Sequence, residues 1–531
     1  MVQSSVIKPA LAPGAGLSPA RACVLAAALA VAVWLGLIWL WPAAAFYLPF
    51  DDSYYYFEIA RNLAGGLGST FDRLNPTNGY HPLWMAIASA AYALGLDGMV
   101  AARALLTLQA GLWLVALGLL IATLRPRPGD AGVFGLPLLI ALLAGNPYVV
   151  KTFVNGLESG VYVPLYALLI WASARFGGRW LEATTRGQRL ALSVAGALLF
   201  LARTDGGFLL LAWGLFCLPP ARRLGARGIG RLAELFALPA VTIVTYLVAN
   251  ELIFGGAMQV SGVVKRLEPS LAGAVEFVLA VLVPALIIGW LGHGAAVARR
   301  FPRLAAFARD SAWFAVGCGM IVGYYIGFQT FPRLWYFGPL IFYGIALFLH
   351  LAADLQAMAR ADGPSQLAML RAILIAPLAV GLALQVRAAA DPMAVSARLA
   401  NRAAGEWIGA HLPPDAVLGS WDAGILGYFA PQSVINLDGV VNSLAFARGL
   451  ADDTAGRLAL AKGLGYLVNH DQRRNGEPRA LPAVARRLLG PEAVAGMRLV
   501  KTWPFTFAGR SNRSKGGIHE MAVFLFALDD R

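Results

Sequence analysis

Apolar runs long enough to cross a bilayer recur from residue 22 to residue 386, and nothing else in the sequence limits the fold as strongly. They fall near 22–46, 104–124, 131–147, 160–174, 190–203, 206–218, 233–253, 272–292, 311–328, 336–353 and 368–386, which makes about eleven crossings. In hydrocarbon every backbone N–H and C=O must be bonded within the chain, so such runs become helices. The predicted fold class is an α-helical polytopic membrane protein. Composition agrees, because 14% charged residues is about half the share in an ordinary soluble domain.

The formal charge of +14 would suit nucleic acid if the basic residues made one face. They stand instead between apolar runs, as the positive-inside rule produces, so the expected partner is the lipid bilayer and no nucleic acid. Lys8 and Arg21 precede an apolar run ending at Ala43-Ala44-Ala45, the pattern of a signal-peptidase site. The stretch 22–40 is nevertheless as long as a full span, which predicts an uncleaved first helix with residues 1–21 in the cytoplasm. Counting 83–96 as a further crossing would put Arg125 and Arg127 outside. Reading it as a short helix at the outer face makes them cytoplasmic, together with Arg175, Arg179, Arg222, Arg299 and Arg360.

That threading gives a transmembrane module over 22–387, a first outer loop over 47–103 and an outer domain over 388–531. In the outer part charged residues return, Pro413-Pro414 marks a turn, and apolar stretches at 416–418, 433–437, 466–468 and 521–525 read as strands between helices. A C-terminal extracytoplasmic α/β domain is expected. Cys23, Cys217 and Cys318 all lie inside apolar runs and read as small buried hydrophobes.

The chemistry-bearing residues gather on the outer side. Asp51-Asp52 follows the first span and precedes a Tyr-rich helical stretch. Two adjacent carboxylates near a membrane surface repel one another and lose solvation, which suits a general base with a raised pKa or a cation site. Asp is equally suited to capping the helix that follows. His81 reads as a phosphate-binding group or a boundary histidine bonded to backbone. Lys265 and Arg266 offer charge to a phosphate or snorkel to the interface. Arg333, Trp335 and Tyr336 fit a phosphate or sugar site, or an aromatic belt. Glu158 fits a sugar hydroxyl or an ion pair, and Arg203 with Asp205 reads as a mutually satisfying pair. Asp422 and Asp438 stand before or near glycines, as turn residues do.

The acidic pair, Tyr54-Tyr55-Tyr56, Ala60-Arg61-Asn62-Leu63, the glycines at 65, 66 and 68, and Gly79-Tyr80-His81-Pro82-Leu83-Trp84 together resemble the first outer loop of GT-C glycosyltransferases. The resemblance is nearest to the bacterial branch of lipid-linked arabinofuranosyl- and mannosyltransferases. Asn155-Gly156-Leu157-Glu158-Ser159-Gly160, Arg203-Thr204-Asp205-Gly206, Phe254-Gly255, Val260 to Lys265 and Arg333-Leu334-Trp335-Tyr336 follow in the same order. The resemblance implies a polyprenyl-phosphate-linked sugar as donor, a cell-envelope glycan, lipid or protein as acceptor, and an inverting transfer on the outer face of the bacterial inner membrane.

It also implies Asp51 or Asp52 as the base, with Asp51 first. His81, Lys265, Arg266 and Arg333 would hold the donor phosphate, and Tyr55, Glu158, Asp205, Trp335 and Tyr336 the sugar or acceptor. No cofactor is required; a divalent cation at the acidic pair is left open. A lipid-linked glycan ligase or oligosaccharyltransferase shares this topology with a larger donor. A secondary transporter would carry its charges near mid-membrane, and a scaffold would work through the outer domain.

Overall fold

The computed structural model describes residues 17–41, 44–126, 135–267, 269–329, 333–391, 393–474, 476–509 and 517–528. Residues 1–16 with Lys8, Ala43, Arg127 and the start of the run expected at 131 lie outside the described residues. Every one of the eleven apolar runs contains a helix. Among the described residues, six segments are long and apolar enough to cross a membrane: Pro19–Leu40, Gly98–Leu124, Gly225–Phe254, Leu271–His293, Trp335–Asp362 and Pro364–Arg387. The number is eight if two bent pairs each make one span, Leu136–Ala144 with Pro147–Phe153 and Pro302–Asp310 with Ala312–Phe328.

Eleven crossings are therefore not reached on length and hydropathy. The difference lies in Ser159–Phe176, Arg186–Ala202 and Gly206–Arg223, of 18, 17 and 18 residues. Such helices extend about 26 Å, slightly less than the ~30 Å hydrocarbon layer. The apolar stretch beginning at residue 83 forms Pro82–Ala93, of 12 residues, about 18 Å long and too short to span.

The outer faces of several helices settle what surrounds them. Val241, Val244, Val248 and Leu252 are exposed on Gly225–Phe254, as are Leu279, Leu282 and Leu286 on Leu271–His293. A belt of this size is not left in water, and the chain is an integral membrane protein. Leu271–His293 packs closely on Ala312–Phe328 because the latter carries glycine at 319, 323 and 327, on one face. A Cβ at Gly323 would meet Phe277 Cα at 2.8 Å, so small residues at this spacing let the two backbones approach.

Residues 393–528 carry a six-stranded sheet. Its strands are β1 (Val417–Ser420), β2 (Ser433–Asn436), β3 (Leu464–Arg474), β4 (Glu477–Pro478), β5 (Arg498–Gly509) and β6 (Gly517–Ala527). The order is β2-β1-β3-β6-β5, with β4 on the end of β3. β1 is parallel to β2 and β3, while β6 runs antiparallel between β3 and β5. Four strands match the expected apolar stretches; β4 and β5 were not expected. β5 contains Pro504, which an edge strand tolerates because its outer N–H positions need no partner.

The sheet domain sits on the first loop. Arg73 donates to Pro431 O at 2.6 Å and Arg61 to Tyr428 O at 3.1 Å, while the Arg61 guanidinium lies 4.1 Å from the Tyr428 ring centroid. Glu58 is buried and receives both arginines, at 2.7 and 2.9 Å. The Tyr-rich helix Asp51–Ala64 is thus clamped between the membrane helices and the sheet.

Candidate active site

The two aspartates have separate surroundings. Asp51 Oδ2 accepts the Gly424 N–H at 2.8 Å and Oδ1 the Ile425 N–H at 2.9 Å, so this carboxylate caps Gly424–Phe429 in the sheet domain. Their own helix is capped otherwise, by the Ser53 hydroxyl accepting Phe50 N–H at 3.0 Å. Burial pushes the Asp51 carboxyl up to about 7, with Asp422 adding to the rise and the two backbone N–H groups opposing it.

Asp52, in contrast, lines a cavity of about 80 Å³ with Tyr56, His81, Glu158, Lys265 and Tyr336. Among the described residues its side chain makes no hydrogen bond. Burial raises its pKa, while Lys265 and Arg333 pull it back. Asp52 therefore faces the cavity, which Asp51 does not line. Both Asp51 oxygens carry a backbone N–H bond from the sheet domain, whereas Asp52 faces the cavity, so the two carboxyls of the expected base pair stand in different surroundings. Among the described residues no group of three or more His, Cys, Asp or Glu side chains gathers in a way that could hold a metal ion.

The cavity floor is a buried ion network. Arg203, 1% exposed, donates from Nε to both Asp205 oxygens at 2.9 and 2.8 Å, from Nη1 to Glu158 Oε1 at 2.9 Å and from Nη2 to the Tyr325 hydroxyl at 2.8 Å. Tyr325 donates to Asp205 Oδ2 at 2.7 Å, and Tyr56 to Glu158 Oε2 at 3.1 Å. The planar fork serves three acceptors at once, which an ammonium at this place would not. The loop that presents Glu158 is fixed in turn: Ser53 Oγ donates to Asn155 O at 2.6 Å, and Gly156, at φ +81°, donates to Gln109 Oε1 at 2.8 Å. A Cβ at Gly156 would meet Ser53 Cβ at 2.8 Å, so a glycine is needed there both for conformation and for room.

His81 stands between this cavity and a larger one. Its Nδ1 accepts the Thr204 N–H at 3.4 Å and lies 3.1 Å from Gln259 Nε2, which leaves the ring proton on Nε2, 3.8 Å from Glu158 Oε1. Burial, aided by the Arg203 charge, lowers its pKa to about 3. His81 is therefore a neutral N–H donor in this setting. Lys265 carries the charge: burial alone would lower its pKa, but Tyr336 and Asp52 together raise it. Its Nζ donates to the Tyr336 hydroxyl at 2.9 Å.

The larger cavity, about 400 Å³, shares His81, Ser261, Lys265 and Tyr336 with the smaller and continues along Phe208, Leu211, Ile243 and Leu247. Leu211 also belongs to the exposed apolar belt. Asp205 lines this chamber. Trp335 lines the smaller one, its ring 4.4 Å from that of Phe50.

The remaining expected residues fall elsewhere. Tyr55 borders the small cavity, yet its hydroxyl is occupied by the sheet domain, accepting from Ala423 N at 3.2 Å and Asn436 Nδ2 at 3.1 Å. Arg266 is exposed and lines neither cavity, its backbone bridging to Gln329. Arg333 is exposed, and its charge acts on Asp52. Val440 and Val441 wall the small cavity from the sheet domain. Nearby Asp438 has its carboxyl pushed up to about 7 by burial, with the Asp52 charge adding to the rise, and its own charge acts on Lys265. Asp438 Oδ1 also accepts Val440 N–H at 3.0 Å, the turn role expected for it. Tyr56, Gln259 and Tyr325 had no expected role; Gln259 stands immediately before the Val260 segment, where only its position hinted at the contact.

Fold and site together define a polytopic membrane protein whose sheet domain closes an acidic cavity joined to an apolar chamber. A family model described as a domain of unknown function (DUF8728) matches residues 391–524, which lie in the sheet-bearing part. No curated protein matches the chain in sequence. Among solved structures, ArnT from Cupriavidus metallidurans bound to undecaprenyl phosphate is similar with a TM-score of 0.47 and 15% identity, over 94% of this chain and 97% of that one.

Proposed function

We propose that the chain is a GT-C-type glycosyltransferase that moves a sugar from a polyprenyl phosphate to a cell-envelope acceptor on the outer face of the bacterial inner membrane. The observation that carries the reading is the junction of the two cavities. An apolar chamber reaching the lipid-facing belt meets, at Lys265, Tyr336 and the neutral His81, a small acidic cavity containing Asp52. A lipid chain suits the chamber, its phosphate the junction, and its sugar the acidic cavity.

In the proposed reaction Asp52 takes the proton of an acceptor hydroxyl as that oxygen bonds to the anomeric carbon. The bond from that carbon to the phosphate oxygen breaks, its electron pair leaves with the polyprenyl phosphate, and Lys265 stabilises the departing charge. Attack from the side opposite the phosphate inverts the anomeric centre. Glu158, held by Arg203 and Tyr56, offers its remaining acceptor capacity to a sugar hydroxyl, and Trp335 a flat apolar face. The first outer loop and sheet domain lie outside, residues 1–21 inside, and residues 388–531 form the outer domain.

A panel of short-chain polyprenyl-phosphate sugars, incubated with purified protein and envelope extract, tests the reading. Transfer of one sugar with inverted anomeric configuration is expected. Uptake of a small solute into proteoliposomes, with no donor in the panel consumed, would contradict it.

A further inference from the structure

Two helices that start beside the Asp52 cavity, and a third that starts against the sheet domain, end together at another void. Gly98–Leu124 begins where the Tyr428 hydroxyl donates to Gly98 O at 2.7 Å, Ser159–Phe176 follows Glu158, and Gly338–Asp362 follows Tyr336. Their far portions contribute Leu124, Ala174 and Asp354 to a cavity of about 550 Å³. At 1.5 Å per residue this void lies some 20 to 40 Å from the site, about one bilayer thickness. In the proposed threading it is at the opposite membrane surface.

Four arginines converge on it: Arg125, Arg299, Arg300 and Arg303. Its two acids, Asp310 and Asp354, are outnumbered by the four arginines. Asp354 Oδ2 accepts the N–H groups of Arg303 and Leu304 at 2.9 and 3.0 Å, and Asp310 pairs with Arg309 at 3.3 Å. Basic residues that merely snorkel fan outward into the headgroup layer; these surround a concavity whose walls, Leu124, Phe307 and Met358, are apolar. A ligand complementary to such a place has a fixed negative charge at the membrane surface and an apolar neck beneath it. We propose that this cavity binds the phosphodiester headgroup of an anionic bilayer phospholipid. The inference is independent of the reaction at Asp52.

Native mass spectrometry tests it on the full chain released from nanodiscs of equal phosphatidylglycerol and phosphatidylethanolamine. Wild type should retain phosphatidylglycerol in preference, even with excess inorganic phosphate, and Arg299→Ala/Arg300→Ala should reduce that retention roughly tenfold. Arg125→Ala, an exposed change at the cavity's other rim, should reduce it too and serves if the double variant does not fold. Equal retention of the two lipids, unchanged retention in the variants, or displacement by inorganic phosphate would each overturn the proposal, the last by marking a soluble-anion site.

Discussion

Asp51 and Gly424, 373 positions apart in the chain, meet with the glycine N–H 2.8 Å from the carboxylate Oδ2. A Cβ at Gly424 would run into the Asp51 carbonyl oxygen and stand 2.8 Å from Oδ2, so this joint between sheet domain and first loop admits only glycine.

Gly424→Ala should therefore loosen the sheet domain at a cost of about 1–3 kcal/mol. Because Val440 and Val441 wall the Asp52 cavity, activity should fall with it. Hydrogen exchange over 51–64 and 417–436 should rise in the variant; unchanged protection would mean that the joint carries no docking energy.

The same joint should respond to pH. The Asp51 pKa is about 7 in the folded protein against an ordinary 3.8, so the folded state holds the proton more tightly. The stability it contributes is full below about 4 and is lost as pH rises through 7. Thermal unfolding in detergent should show the sheet domain melting later at pH 5 than at pH 8, with a smaller difference in Asp51→Asn. Activity should run the other way, falling at low pH as the raised Asp52 carboxyl takes up its proton.

Arg203→Ala would strand Glu158 and Asp205 in a buried site and should destabilise the protein by about 3–5 kcal/mol. Arg203→Lys should recover only part, since one ammonium does not reach three acceptors in plane. Unfolding midpoints of the three proteins check the order.

Lys265→Gln should lower kcat about 100-fold by removing charge from the leaving phosphate, with Lys265→Arg keeping more activity. Steady-state rates on one polyprenyl-phosphate donor measure both; equal rates in wild type and Lys265→Gln would remove Lys265 from the reaction.

Periodicity and length made the membrane helices legible, because an apolar run in hydrocarbon has no alternative to helix. The short helix after His81 was legible from charge, because counting it as a crossing would have put Arg125 and Arg127 outside. Crossing number was harder to read, since 17 to 18 residue helices such as Arg186–Ala202 and Ser159–Phe176 lie at the limit of bilayer thickness. At the site, the sequence pointed to Glu158, His81, Lys265 and Tyr336, which the fold brings to one junction, and paired Arg203 with Asp205. The difference in surroundings between Asp51 and Asp52 was not legible: it depends on N–H groups hundreds of residues away, and local sequence carries no record of such contacts. Gln259 was missed for the same reason, its amide reaching His81 across 178 positions.

The central claim is that Asp52 is the base of a sugar transfer while Asp51 holds the sheet domain. The most direct measurement is the single-turnover rate of sugar transfer from a polyprenyl-phosphate donor, at saturating donor and acceptor, for wild type, Asp52→Asn and Asp51→Asn. Asp52→Asn should be slower by at least about 100-fold, with Asp51→Asn much nearer to wild type. A wild-type rate in Asp52→Asn, or a greater loss in Asp51→Asn than in Asp52→Asn with both proteins folded, would contradict the account.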